Sequence, residues 1–465
     1  MKTGRKKMRL WKKIVIIISV ILLLLAAAAY GAGVYYFSSH FLPGSVINGL
    51  NCSYLTVEEA QDLIADEIAT YTLTLHEMDG KDEKLVAADV GLTYVPDDTV
   101  PGLMESQAKW KWFLALKDRK KYHMSANTTY NTKKLEKAVK ALDCFQPANV
   151  TEPQDAYMRD NAGLYEIVPE VEGNKVSARR LTRLVRKAVE KGETEIDLVA
   201  TGCYYKPKIY RDDEALNREV EELNKLLGVI ITYDFGDRTE TVNASRIKEW
   251  LVKGEDGSYT LDQAKVADYV YQLGYQYDTF GLDHEFTTSE GAVITVPGGD
   301  YGWAIAQGDE TQALIDAIMS GESQVREPIY AYTAKSRYSN DIGDTYVEIS
   351  LSEQRMWFYC DGALLVDTPI VTGNHSKGWD TPRGIYAIDA KKSPAILKGE
   401  GYASPVTYWM PFNGNVGIHD ADNWRTEYGG DIYMTSGSHG CVNTPSANAE
   451  IIYNNIEIGD PVIVY

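Results

Sequence analysis

The sequence predicts a multidomain protein: an N-terminal transmembrane helix, two α+β modules, and a C-terminal domain that is mainly β. Three observations predict it. At 465 residues the chain is too long for one ordinary domain of about 100–200 residues. A basic stretch followed by an uncharged apolar run opens it. From Asp344 the helical hydrophobic spacing gives way to apolar–polar alternation. With 44% hydrophobic and 24% charged residues, the composition is that of folded protein.

Residues 1–13 hold Lys2, Arg5, Lys6, Lys7, Arg9, Lys12 and Lys13 and no acid, and Ile14 to Phe37 carries no charge. A run of about 20 apolar residues spans a bilayer, and basic residues before it stay in the cytoplasm. This gives a cytoplasmic tail (1–13), a transmembrane helix (14–37) and an extracytoplasmic remainder, in a single-pass protein of the cell membrane. A cleaved signal peptide is the competing reading, with Ala26–Ala29 and Gly31-Ala32-Gly33 as room for a cleavage site. The apolar run exceeds the roughly 7–15 residues of a signal core and favours an uncleaved anchor. The net charge is −19 despite the basic tail, so the body is acidic and lacks the clustered cations that nucleic acid requires. The five cysteines are scattered without a CxxC pair, which argues against a zinc site and a disulfide-dense scaffold. An odd number outside the cytoplasm leaves a free thiol to explain.

Residues 38–50, with Pro43, Gly44 and Gly49, read as a short stalk. Thr56 and Glu59 form a capping-box pattern before Ala60, Leu63, Ile64 and Ile68 at helical spacing. Thr72–Leu75 and Leu85–Ala88 read as strands, Asn131 opens a helix, and Leu164–Val168 is a strand. A helix over Ser177–Lys191 stops at Gly192, and a strand over Glu195–Ala200 follows. The order returns downstream. Val229–Tyr233 and Thr239–Val242 pair, and Thr260 and Gln263 cap a helix ended by Gly274. Gly291–Pro297 is a strand, and Glu310–Met319 is a helix stopped by Gly321. The stretch "GLYEIVPEVEGNKVSARRLTRLVRKAVEKGE" echoes "GAVITVPGGDYGWAIAQGDETQALIDAIMSGE". Two tandem modules, 45–200 and 205–330, are therefore expected.

Residues 344–465 form the third domain. Alternation in "TYVEISLSEQRMWFYCDGALLVDTPIVTG" marks a hairpin turning at Asp361-Gly362. Gly384–Ala390 and Pro461–Tyr465 are further strands. Between them a helix near Ser446–Ile456 takes Thr444 as N-cap and Pro445 in its first turn.

Cys441 lies in a Ser438-His439-Gly440-Cys441 run, with His419 twenty-two residues before it, in a chain with only seven histidines. A thiol of pKa near 8.5 is mostly protonated at neutral pH. A neighbouring imidazole can take its proton and form a thiolate–imidazolium pair. Gly440 lets backbone N–H groups approach a developing oxyanion. A helix starting just after Cys441 would further favour a negative sulfur. Cys360, inside an apolar strand pattern, reads as a structural thiol instead.

The run from His419 through "SHGCVN" resembles the signature of YkuD-type L,D-transpeptidase catalytic domains. "VTGNHSKGWDTPRGIYAI", with Gly373, Thr381, Pro382 and Gly384, and "WMPFNGNVGIH" resemble the family in the same order, covering about 344–465. The two modules, with phrases such as "GLNCSYLTVEEAQDLI", resemble the peptidoglycan-binding domains that precede it in Gram-positive members. The resemblance implies a β-rich fold that joins the third residues of two peptidoglycan stems, and inhibition by carbapenems. It implies attack by Cys441 on the carbonyl before the terminal D-Ala, and resolution by the side-chain amine of a second stem. His419 is the expected base, its ring oriented by the backbone carbonyl of Asp420. The sequence leaves open whether His439 polarises the site or shares the base role. The amides of Gly440 and Cys441 are the expected oxyanion donors. Ser438, Asn443, Trp409 and Trp424 are candidate substrate contacts, and for both tryptophans a core role stands beside that one. No metal or cofactor is called for. Two other readings remain, an L,D-carboxypeptidase of the same fold and a non-catalytic wall-binding anchor.

Overall fold

The computed structural model describes residues 4–338, 340–399 and 402–465, so Lys2 of the basic tail lies outside the described residues. The N-terminal helix runs Gly4–Tyr36. Its apolar part, Leu10–Tyr36, is 27 residues, or about 40 Å at 1.5 Å per residue, long and apolar enough to cross a membrane.

The chain divides into two compact units, residues 1–157 with 168–213 and residues 158–167 with 214–465. In the first, Thr72–His76 pairs antiparallel with Asp82–Val86 and parallel with Glu195–Asp197. Helices Thr132–Lys140 and Ala178–Lys191 bury Leu135, Val139, Leu181 and Val185 in a core with Leu73 and Leu75. Helix Val57–Ala69 has the capping box that Thr56 and Glu59 predict. The 38–50 segment is not a stalk. Ser45–Ile47 pairs with Leu50–Asn51 and Lys120–Tyr122, and Phe41 and Ile47 are fully buried. Its glycines and proline bend a folded segment.

In the second unit, Ile231–Asp234 pairs antiparallel with Thr239–Val242 and parallel with Gln324–Arg326. The two sheets thus share one topology, and each third strand follows a helix, Ala178–Lys191 or Gln307–Ser320. The repeated phrase falls on equivalent hairpins, Tyr157–Asn161 with Leu164–Val168 and His284–Thr287 with Val293–Val296. Met158 and Tyr165 of the former pack against the core built by residues 223–318. Phe286 and Val296 of the latter cluster with Ile385 and Ile463 of the C-terminal domain.

Several predicted boundaries move. The strand expected over Leu85–Ala88 ends at Val86, because the Asp89 carboxylate accepts the Val86 amide and starts a short helix, Ala87–Val90. The strand expected to reach Ala200 ends at Asp197, whose carboxylate accepts the amides of Val199 and Ala200 and forces a turn. Asp262, not Thr260, caps Gln263–Tyr277, its carboxylate accepting from Ala264 and Lys265. Thr260 sits in the strand Tyr259–Leu261, and the helix runs through Gly274.

The C-terminal domain holds a five-stranded sheet built from β1 (Tyr346–Ser350), β2 (Arg355–Cys360), β3 (Ala363–Pro369), β4 (Gly384–Ala387) and the final strand Pro461–Val464. Its order is β3-β2-β1, then the final strand, then β4. The β2–β3 turn is Asp361-Gly362, with φ of 49° and 77°, the two positive values of a tight hairpin. A hairpin, β5 (Ala395–Gly399) and β6 (Tyr402–Val406), precedes a second sheet of β7 (Trp409–Asn413), β8 (Val416–Asp420) and β9 (Val442–Thr444). Phe358, Phe412, Ile418, Val442, Ile452 and Val462 join both sheets and the helix Ser446–Asn455 in one core. That helix starts after Pro445; Thr444 stays in β9, and the Ser446 amide goes to Asp422 Oδ2 at 2.9 Å.

Glu348 on β1 is fully buried. It accepts the Ser289 amide at 2.9 Å, the Ser289 hydroxyl at 2.5 Å and the Tyr465 hydroxyl at 2.6 Å. These hydrogen bonds pin the 284–296 hairpin to the sheet. Glu348→Ala removes the acceptor of three hydrogen bonds and should cost about 3 kcal/mol, read as a lower urea midpoint. An unchanged midpoint would show that apolar contacts alone hold the hairpin.

Candidate active site

Parallel pairing of β8 with β9 brings the separated motif halves together, with His419 opposite Asn443 and Ile418 opposite Val442. Side chains alternate along strands, so Cys441, one step before β9, lies diagonal to His419 on the same face. Position 417, beside Cys441, is a close approach: a Cβ there would lie 2.6 Å from Met410 O and 2.7 Å from the Trp409 ring. Gly440 has φ +116°, a conformation closed to other residues. Its carbonyl accepts the Thr381 hydroxyl at 2.7 Å, and Thr381 Oγ1 accepts the Gly373 amide at 3.1 Å. The loop before the cysteine is therefore clamped to the Gly373–Thr381 segment.

Cys441, His419, His439, Ser438, Asn443 and Trp424 line one cavity of about 280 Å³. Trp409 is not in its wall, but the Trp409 and Trp424 rings lie 5.9 and 5.8 Å from the His419 ring. His419 is buried, and its Nδ1 donates to Asp420 O at 2.9 Å. The Asp420 carboxylate accepts the amides of Thr407 and Tyr408 at 2.8 and 2.7 Å. The Asn443 amide is satisfied when its oxygen accepts from Arg425 Nη2 and Nε at 3.2 and 3.1 Å, and its nitrogen donates to His419 Nε2 at 3.2 Å. His419 is then neutral, with its lone pair on Nε2. His439 stacks on Trp379 at 4.2 Å and 23°, and Lys377 Nζ lies 4.5 Å over the same indole.

Burial holds the His419 pKa below the usual imidazole range, against the opposing pull of the Asp420 carbonyl. It pushes the Cys441 thiol up to about 11, opposed by a backbone hydrogen bond from Gly417. The thiol donates to Asn415 O at 3.4 Å. Burial thus works against the charged form of each group, and so against the thiolate–imidazolium pair that the sequence suggests. Two further expectations change. No helix starts at Cys441; β9 follows it. The Gly440 amide, expected to face an oxyanion, donates to Ser438 Oγ at 3.0 Å, while the Ser438 hydroxyl donates to Cys441 O at 2.5 Å.

Residues 344–464 match the family model "L,D-transpeptidase catalytic domain", and residues 205–326 match "Putative peptidoglycan binding domain". A cysteine-to-serine mutant of the Enterococcus faecium L,D-transpeptidase is 38% identical over 53% of this chain and 100% of its own, with TM-score 0.47. The chain belongs to the L,D-transpeptidase family. Its C-terminal domain is also 45% identical to the catalytic domain of the E. faecium L,D-transpeptidase acylated by ertapenem, over 26% of this chain and 98% of that one, TM-score 0.25. A Mycobacterium smegmatis L,D-transpeptidase is 25% identical over 26% and 58%, TM-score 0.23. No curated protein matches the chain. The sequence identities, not the superpositions, carry the family assignment.

In this L,D-transpeptidase, sequence reasoning passed over Arg425, Trp379, Asn415 and the β5–β6 hairpin, which sends Leu397 and Ser404 to the cavity. Arg425 stood beside Trp424 in the motif stretch, and Trp379 inside "KGWDTP". Neither has a spacing that marks it, since their partners come from other segments.

Proposed function

We propose that this L,D-transpeptidase forms 3-3 cross-links in peptidoglycan through a Cys441 acyl-enzyme, held outside the cell by the helix Leu10–Tyr36, with residues 45–330 binding wall material. One observation carries the chemistry: Cys441 and His419 lie diagonal across β8 and β9 in one cavity, and the Asp420 carbonyl fixes His419 Nδ1 as the protonated nitrogen. Cys441 Sγ attacks the carbonyl joining the third stem residue to the terminal D-Ala. The thiol proton passes to His419 Nε2, displacing the Asn443 N–H that rests on its lone pair, and then to the leaving amine, so the C–N bond breaks, D-Ala departs and a thioester remains. The side-chain amine of a second stem attacks that thioester and gives its proton to His419. The C–S bond breaks and the thiol is restored.

Burial that disfavours both charges suits this order. Proton transfer accompanies attack, when the oxyanion is forming and preorganised donors can answer it. Of the two histidines, buried His419 is the base, while His439, stacked on Trp379, shapes the cavity wall. Asn443 and Arg425 hold the His419 ring, and Trp409 and Trp424 flank it. The Cys441 amide is the oxyanion donor that remains, and Ser438 braces the loop.

Incubation with a carbapenem should add the drug mass to one residue, Cys441, by peptide mass spectrometry. With tetrapeptide stems, free D-Ala and a dimer linked through two third residues should appear together. D-Ala release with tripeptides and no dimer would replace the transpeptidase with a carboxypeptidase, and no adduct would leave a binder.

A further inference from the structure

The second module carries a cleft of about 730 Å³, walled by the helices Ala244–Trp250 and Gln263–Tyr277 and by Glu240. Trp250 is buried, with Tyr269 beside it at 5.3 Å. The Tyr269 hydroxyl is buried with no hydrogen-bond partner, which a bound hydroxyl or amide would relieve. Next to the cleft, Tyr271 and Tyr275 are 51% and 81% exposed, four residues and about 6 Å apart along one helix face. Asp268 and Gln272 share that face, and their side chains make no hydrogen bond or ion pair among the described residues. Arg246 and Lys265 face three acids, Glu240, Glu249 and Asp268, across the cleft, Arg246 bonding Glu249 at 3.2 Å and Lys265 reaching the Glu249 carbonyl at 2.8 Å. The equivalent helix of the first module, Thr132–Lys140, contains no aromatic residue.

Resting on the wall-binding reading above, we propose that this cleft binds the glycan strand of peptidoglycan, an N-acetylated amino-sugar polymer, with Tyr275 and Tyr271 as stacking platforms. The apolar face of a pyranose ring packs on an exposed aromatic ring. The planar carboxylate, carboxamide and guanidinium groups of Asp268, Gln272 and Arg246 match ring hydroxyls and N-acetyl groups. The mixed charge disfavours a polyanionic wall polymer. A grip on the peptide stem would compete with the catalytic cavity for its substrate, whereas the glycan is untouched by the reaction and recurs along the strand.

The full chain in detergent micelles, titrated calorimetrically with a β-1,4-linked N-acetylglucosamine hexamer, should show saturable binding. Tyr275→Ala should weaken it about tenfold, the weight of one lost stacking contact. D-Ala release from free tetrapeptide stems should stay unchanged, since Tyr275 is a surface residue outside the catalytic domain. That release also reports the catalytic reading separately, so a failed cysteine mechanism and a failed glycan site are told apart. Absence of hexamer binding overturns the proposal. So does binding that neither Tyr275→Ala nor Arg246→Ala weakens, or displacement of the hexamer by free tetrapeptide stem.

Discussion

Cys441→Ser should abolish D-Ala release and stem dimerisation, a loss on the order of 10⁶-fold if the nucleophile and base act as a unit, while the domain stays folded. The size change is small, and a serine hydroxyl can keep the bond to Asn415 O that the thiol makes at 3.4 Å. Chemistry supplies the loss: an alcohol is far less acidic than a thiol, and one neutral imidazole does not compensate for that. Cys360→Ser is the matched control. Cys360 ends β2 and packs against the C-terminal core, away from the cavity that holds Cys441, so turnover should be nearly unchanged. The measurement is stem dimer by mass spectrometry, with circular dichroism to confirm folding. Wild-type turnover in Cys441→Ser, or a folded but inactive Cys360→Ser, would identify a different thiol and end the mechanism.

Local sequence was a good guide where the determinants are local. Thr56 and Glu59 make a capping box, Asp361-Gly362 makes a hairpin turn, and Gly192 and Gly321 stop helices, because each depends on neighbours within a few positions. Prediction failed where a short polar side chain redirects the backbone, as Asp89 does after Val86 and Asp197 after β-pairing ends. It also failed where a segment folds with a distant partner. Residues 158–167 group with the second unit rather than the first, which no spacing within the first module reveals. At the site, the motif drew attention to residues that line one cavity and to the His419–Asp420 hydrogen bond. It did not disclose their electrostatics. The lowered imidazole and the raised thiol come from burial, and burial is a property of the assembled domain.

That electrostatic state gives the second large effect. His419→Ala should lower the rate about 10²–10⁴-fold, the usual cost of a lost general base, and should also change the shape of the pH profile. On the proposed mechanism the active form pairs a neutral His419 with a protonated thiol. Burial lowers the His419 pKa, which favours its neutral form at neutral pH. Activity falls only as pH drops through that depressed value, below the ordinary imidazole range. The thiol, pushed up to about 11, stays protonated until far into alkaline pH. The rate of acylation should therefore be flat across neutral pH. Without His419 no side chain takes the thiol proton, and reaction must draw on the thiolate already present. That fraction rises tenfold per pH unit until the thiol titrates, so the residual rate of His419→Ala should climb steadily with pH where the unaltered enzyme is level. Arg425→Ala separates base from support. Arg425 lowers the His419 pKa through its charge and orients Asn443, so its loss should move the acidic limb upward while leaving the plateau in place. Stopped-flow carbapenem acylation across pH reads all three. A level profile in His419→Ala would mean that another group, with His439 the first to examine, accepts the proton from Cys441.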